Sequence, residues 1–357
     1  MPRKMDLLSC TRNTLRRLKR TAIQTLLGGS FLCLNTYIHK FHVHLQAVEH
    51  SNCIITGIFF RCMKTPTPLS HSEITEKTID VEKIFRAKNP RLFRWTPHFL
   101  VKWISRLIWQ DEINRIIYAY PDDDPVTFAH HILEEFKVNI QVIGLENLHD
   151  KKRFIVASNH PLGGLDGVAM LNTVGTIYPD VIFPVNDMLL FIPQFRGSFI
   201  PISKQGRDIS NTANLKNIQL HFSSDRPILY FPAGICSRKQ HGVIKDLEWK
   251  KSFITLALKY KRDIIPAYFH GCNSGFFYRL SNIRKKLGIK FNIELVLLPR
   301  EMFRQQGKTF QIVFGKPITY SFFNERFTTD EWAQLLQDFV YTLKSGEELF
   351  EEFVNKK

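Results

Sequence analysis

A chain of 357 residues with 44% apolar content holds ample material for a sizeable core in one large or two ordinary domains, which excludes a disordered chain. Its net charge of +16 implies attraction to polyanions, whether nucleic acid, anionic membrane or acidic protein, without choosing among them. No window offers the roughly 18 uninterrupted apolar residues of a bilayer-spanning helix, and six cysteines, four of them in the first 62 residues, lack the close repeated spacing of a disulfide framework, so a reducing cytoplasm is the default.

Residues 1–62 differ from the rest: nine Lys/Arg against two Asp/Glu give this stretch +7. A signal peptide, an organellar transit segment and a basic surface-binding helix all fit the opening "MPRKMDLLSCTRNTLRRLKR". So does a translation start at Met63, which would make 1–62 an atypical extension of mis-assigned origin. His39, His42, His44, His50, Cys53 and Cys62 match no paired-ligand spacing, and no metal is expected.

From Val81 to about Asn139 the pattern is helical. Phe93, Trp95, Phe99, Trp103 and Trp109 alternate with Arg91, Arg94, Lys102 and Arg106, and Pro97 marks a helix start or kink. This amphipathic stretch fits either a core-facing helix with a solvated basic face or a helix at a membrane interface, and we take 63–139 as a helical, membrane-contacting region. "DEINRIIYAY" and "PVTFAHHILEEF" read as two shorter helices.

Residues 140–357 alternate short apolar runs with helical segments. "NIQVIGL", "RFIVAS", "DVIFPV", "PILYFPAG", "DIIPAYFHG", "IELVLL" and "FQIVFGKPI" are the apolar runs. Helices are expected from about Leu165 to Tyr178, near Asn211 to Phe222, over "LEWKKSFITLALKYK" and over "TTDEWAQLLQDFVYTLK". Such alternation predicts an α/β fold, a mixed or mostly parallel sheet flanked by helices, with ligands beyond the carboxyl ends of the strands. No repeat or low-complexity segment interrupts it.

One such strand end carries "ASNHPLGGLDG". His160 falls in the loop and Asp166 in the first turn of the next helix, where a negative charge suits the helix dipole. A carboxylate on one imidazole nitrogen fixes the tautomer and leaves the other nitrogen free as a base. Gly163 and Gly164 permit a tight reversal, and a plain strand-to-helix turn with an incidental His and Asp remains open at this level.

Other chemistries fail on spacing. "QGKT" at 306–309 lacks the upstream glycine of a phosphate loop, and "GCNSG" at 271–275 has its serine in the wrong slot for a nucleophile elbow. Cys236 and Cys272 are expected to be buried thiols rather than nucleophiles. No groove-reading motif appears, so nucleic acid is not an expected partner.

"NHPLGGLDG" resembles motif I of the glycerolipid acyltransferase superfamily, the lysophospholipid acyltransferase-like enzymes. "FRGSFIPISKQGRD", "LYFPAGICSR" and "DIIPAYFHG" follow in the order of its motifs II, III and IV. The resemblance covers about Val81 to Lys316 and is greatest to the hemolysin-like, aminolipid O-acyltransferase branch in Bacteroidetes. Two departures stand out: His160 to Asp166 is H-x5-D where the family has H-x4-D, and the family's Glu and Arg of motif III are Ala233 and Cys236. Those family positions help hold glycerol phosphate, so the resemblance implies a different acceptor.

The resemblance implies direct acyl transfer from acyl carrier protein or acyl-CoA to the hydroxyl of a lyso-lipid, most simply a lyso-aminolipid of ornithine or glycine type. His160 would be the base and Asp166 its orienting partner, with Asn159, Gly163 and Gly164 as oxyanion or motif support. Arg207, Phe231, Pro232, Gly234, Ser237, Arg238 and Pro266 would bind substrate. No cofactor is implied, and the expected location is peripheral, at the cytoplasmic face of the inner membrane. The alternatives are acylation of lysophosphatidic acid and a non-catalytic, hemolysin-like membrane-binding protein.

Overall fold

In the computed structural model, residues 78–88, 90–185, 192–201, 212–289, 292–344 and 349–357 are described, all within the unit Thr75–Lys357. The extension 1–62 and the start at Met63 lie outside them.

The helical stretch resolves into α1 (Val81–Lys88), α2 (Pro90–Trp95), α3 (His98–Leu107), α4 (Gln110–Ala119) and α5 (Pro125–Glu135). Pro97, extended, precedes α3. The Asp124 carboxylate accepts from the Val126 and Thr127 N–H groups and caps α5, with Pro125 in the first turn where its missing N–H costs nothing. Then come β1 (Asn139–Ile143), β2 (Phe154–Ser158), α6 (Leu165–Gly175), β3 (Phe183–Val185), β4 (Phe199–Pro201), α7 (Thr212–Ser223) and β5 (Ile228–Tyr230). A hairpin of β6 (Arg238–Gln240) and β7 (Val243–Lys245) precedes α8 (Ser252–Tyr260), β8 (Asp263–His270), α9 (Gly275–Lys286), α10 (Leu298–Phe303), β9 (Thr309–Phe314), α11 (Thr329–Thr342) and α12 (Phe350–Asn355).

The sheet runs β1-β9-β8-β2-β5. β2 is parallel to β5 and β8, whereas β9 is antiparallel to β8 and parallel to β1, so the sheet is mixed. A bridge from Ile182 to Ile228 joins the parallel pair β3 and β4 to its far edge. All five residues of β2 are buried, as a strand flanked on both sides and covered on both faces requires. Its side chains alternate: Phe154 and Val156 pack with Ile117, Phe128 and Met170 of α4, α5 and α6, and Ile155 and Ala157 pack with Phe253, Leu336 and Phe339 of α8 and α11. Each such side chain contributes roughly 1.5–3 kcal/mol on burial. Helices α4 and α5 thus share the core of the sheet that follows them.

Two expectations need correction. "IELVLL" is not a strand: residues Ile293–Leu297 form a 3-10 turn that leads into α10, because fully buried Glu294 turns inward to Arg238 and Arg284 and Pro299 favours a helix start. The helix over "LEWKK" begins only at Ser252, since the Trp249 indole donates to Asp246 and its backbone N–H to Gln337, which hold that stretch extended from the helix. Helix α9 and the β6–β7 hairpin carry no strong sequence signal: α9 bears apolar residues on two faces with basic residues between them, and each hairpin strand has three residues.

Candidate active site

β2 ends at Ser158, and the chain turns through residues 159–164 into α6 at the carboxyl edge of the sheet. There His160 Nδ1 lies 2.9 Å from Asp166 Oδ2. The same carboxylate accepts backbone N–H groups from Leu162 (2.9 Å), Gly163 (3.2 Å), Gly164 (3.0 Å) and Gly167 (2.9 Å). Asp166 is fully buried, and this ring of donors satisfies it. Burial alone would push its carboxyl up; the charge of His160 and these hydrogen bonds outweigh that and hold it below the usual carboxylate value. An ionised carboxylate only accepts, so Nδ1 carries a proton, and in the neutral imidazole Nε2 then presents a lone pair.

The additional residue between His160 and Asp166 is accommodated by Gly163, whose φ of +84° is open to glycine and strained for side-chain-bearing residues. A Cβ there would also sit 2.9 Å from Leu298 Cδ2 and 3.0 Å from Cys236 Cβ. The turn's shape therefore depends on Gly163, and the turn delivers the dyad.

The backbone of His160 is clamped on both sides. Its N–H donates to the Asp246 carboxylate at 3.2 Å, and its carbonyl accepts the Ser237 N–H at 2.7 Å. Asp246 also accepts from Ser237 Oγ (2.5 Å) and Trp249 Nε1 (3.0 Å), and its N–H donates to the Tyr341 hydroxyl. Burial pushes the Asp246 carboxyl up against the pull of Ser237 and Trp249. The imidazole face is covered by Phe231, and Asn273 Nδ2 donates to the carbonyls of Pro161 (3.3 Å) and Leu162 (3.1 Å). Asp246 was missed because nothing in "VIKDLEW" marks it. Asn273 had a signal in the Asn/Ser/Gly-rich turn after β8, inside the "GCNSG" set aside as a failed elbow.

Several expected site residues have other work in this fold. The Asn159 side chain pairs with the backbone of Phe269, donating to its carbonyl at 3.0 Å and accepting its N–H at 2.7 Å, so it ties the loop to β8. The Gly163 and Gly164 N–H groups donate to Asp166, which leaves them no donor for an oxyanion. Arg238, only 1% exposed, pairs with Glu294 at 3.0 Å and lies over the Phe277 ring; Arg284 sits 2.8 Å from the other oxygen of that carboxylate. It is part of a core ion pair. Ser237 spends both its N–H and its hydroxyl on the His160 clamp. Pro266 is buried within β8, opposite Ala157, with its carbonyl accepting the Gly315 N–H. Pro232 is buried too and accepts from Lys250, and Gly234 forms an exposed turn at φ +67°. Phe231 alone of the motif III block touches the histidine ring, and Arg207 lies outside the described residues. Cys236 is a buried thiol pushed up to about 11 by burial, as expected, whereas Cys272 is exposed, because it follows the last residue of β8 in the surface loop. Among the described residues no cluster of His, Cys, Asp or Glu has the makings of a metal site.

A family model described as "Acyltransferase" matches residues 83–348. The chain is 41% identical over 266 residues to the lyso-glycine lipid O-acyltransferases of Bacteroides thetaiotaomicron and Phocaeicola vulgatus, covering 74% of this chain and 97% and 95% of those proteins. It is also similar to the crystal structure of the 1-acyl-sn-glycerophosphate (LPA) acyltransferase PlsC from Thermotoga maritima, with 76% of this chain and 96% of that one covered, a TM-score of 0.39 and 16% identity. A model match over this span and relatives at this identity show that the chain belongs to the acyltransferase family and is an acyltransferase.

Proposed function

We propose that this chain is a lyso-aminolipid O-acyltransferase of the glycine-lipid type, with His160 as general base. The observation that carries the chemistry is the His160–Asp166 pair at 2.9 Å, with Nδ1 engaged and Nε2 making no hydrogen bond to a described residue. The relatives' names, at 41% identity over nearly their full length, support the acceptor class.

In this reading Nε2 takes the proton from the acceptor hydroxyl as its oxygen attacks the thioester carbonyl of acyl carrier protein or acyl-CoA. The tetrahedral intermediate collapses with cleavage of the C–S bond, the thiolate takes the proton back from the imidazolium, and an ester and a free thiol leave. Base catalysis of this kind contributes about 10²–10⁴-fold. Buried, ionised Asp166 favours the imidazolium formed in between, and Phe231 fixes the ring plane. No cofactor enters the scheme. Ala233 and buried Cys236 place no charge where the resemblance puts a glycerol-phosphate contact, which argues against lysophosphatidic acid.

Among the described residues no helix is long and apolar enough to cross a membrane. Peripheral contact with a membrane surface, which this reading puts at the cytoplasmic face of the inner membrane, draws on Trp95 and Phe99, 60% and 73% exposed, beside exposed Arg94, Lys102 and Arg106. Lipid extracts from cells with the intact gene, without it, and with His160→Ala test the assignment. Accumulation of a lyso-glycine lipid in the last two supports it; a normal glycine-lipid pool with altered phosphatidic acid would replace it with the phospholipid reading.

A further inference from the structure

Helix α9 takes no part in the chemistry, yet it has two apolar faces. Phe277 and Tyr278 pack inward, with Ser281 and Arg284 buried beside them. Phe276, Leu280, Ile283 and Leu287 form a second stripe at the spacing of an amphipathic helix, and Ile283 and Leu287 are each 54% exposed. A solvent-facing helix ordinarily turns polar residues outward. Here the exposed companions are Arg279, Lys285 and Lys286, and residues 271–293 contain five Lys/Arg and no acid.

The place of this stripe matters as much as its composition. Asn273, immediately before α9, holds the Pro161 and Leu162 carbonyls of the His160 loop, and the Ser274 cap is fixed by Glu301 at 2.6 and 2.8 Å. Leu280 shares a cluster with Leu107 at the end of α3, so the stripe adjoins the helix that carries Phe99 and Trp103. The guanidinium of Arg300 lies over Phe276, adding a cation at the other border.

We infer that α9 is a membrane-docking element that seats on an anionic lipid surface beside the His160 loop, with Phe276, Ile283 and Leu287 inserted and Arg279, Lys285 and Lys286 at the headgroups. Charge complementarity selects lipid as the occupant: a second copy of a chain carrying +16 would bring more positive charge to a patch that lacks any acid, whereas an anionic leaflet neutralises it. The inference rests on the reading that the acceptor is a membrane lipid, and it explains how the acceptor hydroxyl is met at the lipid surface.

The test is co-sedimentation of the full chain with phosphatidylglycerol-containing and with pure phosphatidylcholine vesicles, read without turnover, so that absence of acyl transfer would count against the enzymatic reading alone. Ile283→Asp/Leu287→Asp should weaken partitioning to both by more than about tenfold. Arg279→Glu/Lys286→Glu should weaken only anionic binding, by about fivefold or more for each reversed charge. Thermal unfolding at the wild-type midpoint certifies the fold of each variant. Wild-type binding by both folded variants would overturn the inference. So would a wild-type dimer in sedimentation velocity that the aspartate pair dissolves, or a thiol placed by Ile283→Cys, in a background with Cys10, Cys33, Cys53, Cys62 and Cys272 replaced by serine and only buried Cys236 kept, that is shielded without lipid, since the face would then be covered by protein.

Discussion

The ring of Phe231 lies nearly parallel to the imidazole of His160, centroids 4.1 Å apart and planes 16° apart, so the loop after β5 sets the plane of the imidazole at the end of β2. Phe231→Ala removes that wall and frees the imidazole to tilt. A fall in kcat of about 10–100-fold is expected, the cost of a displacement on the order of 1 Å, with Phe231→Tyr near wild type. Steady-state kinetics on the two variants checks it.

Asp166 holds the Nδ1 side of the His160 ring. Asp166→Asn is expected to lower kcat by about 10³–10⁴-fold, the scale seen when a carboxylate that orients a catalytic histidine is neutralised. Because its folded pKa is depressed, ionised Asp166 contributes stability that is present above the ordinary carboxylate value of about 3.9 and lost as pH falls through the lower folded value. Urea denaturation across the acid range should therefore show a shallower pH dependence in Asp166→Asn than in the wild type.

Gly163 permits the longer His-to-Asp spacing. Gly163→Ala forces a Cβ into the left-handed region and against Leu298 and Cys236, at a cost of about 1–3 kcal/mol, with loss of activity from a displaced Asp166. Gly234→Ala also sits at positive φ, but its Cβ would come no closer than 3.6 Å to Lys250 Nζ, so it should lose stability without the same loss of kcat.

The Asp246 carboxylate holds the backbone N–H of His160. Asp246→Asn should reduce kcat by about tenfold at unchanged acceptor KM, a split that a contact to substrate would not produce. Burial raises its folded pKa, so it contributes stability that is full below the unfolded value of about 3.9 and lost as pH rises through the folded value. Chemical denaturation of wild type and Asp246→Asn between mildly acidic and neutral pH should diverge in that direction.

The Arg238–Glu294 pair separates a structural from a binding role. Glu294→Gln leaves Arg238 buried and uncompensated and should cost about 3–5 kcal/mol. Donor and acceptor KM in the folded fraction should stay within about twofold of wild type, as uniform binding is untouched. A large KM change with normal stability would return Arg238 to the substrate.

The central strands and the close approach of His160 to Asp166 were legible because short-range rules govern them. An apolar run such as "FIVAS" has few fates other than a central strand, and His160, Gly163 and Asp166 lie on one turn. What escaped the sequence depends on distant partners. Arg238 reads as a substrate-binding cation until Glu294, 56 positions on, is seen to neutralise it. Likewise Asp246 means nothing until β7 brings it under His160. The partners of the Gly163 and Gly164 N–H groups were hidden for a related reason, since only the folded loop turns them onto Asp166.

The most direct measurement of the central claim is acyl transfer by purified protein to a lyso-glycine lipid in mixed micelles, with acyl carrier protein or acyl-CoA thioester as donor. The wild type should form the di-acylated glycine lipid and release free thiol in equal amount, and His160→Ala should lower the rate by about 10²–10⁴-fold. Wild-type turnover by the alanine variant, or transfer to lysophosphatidic acid in preference to the lyso-glycine lipid, would contradict the account.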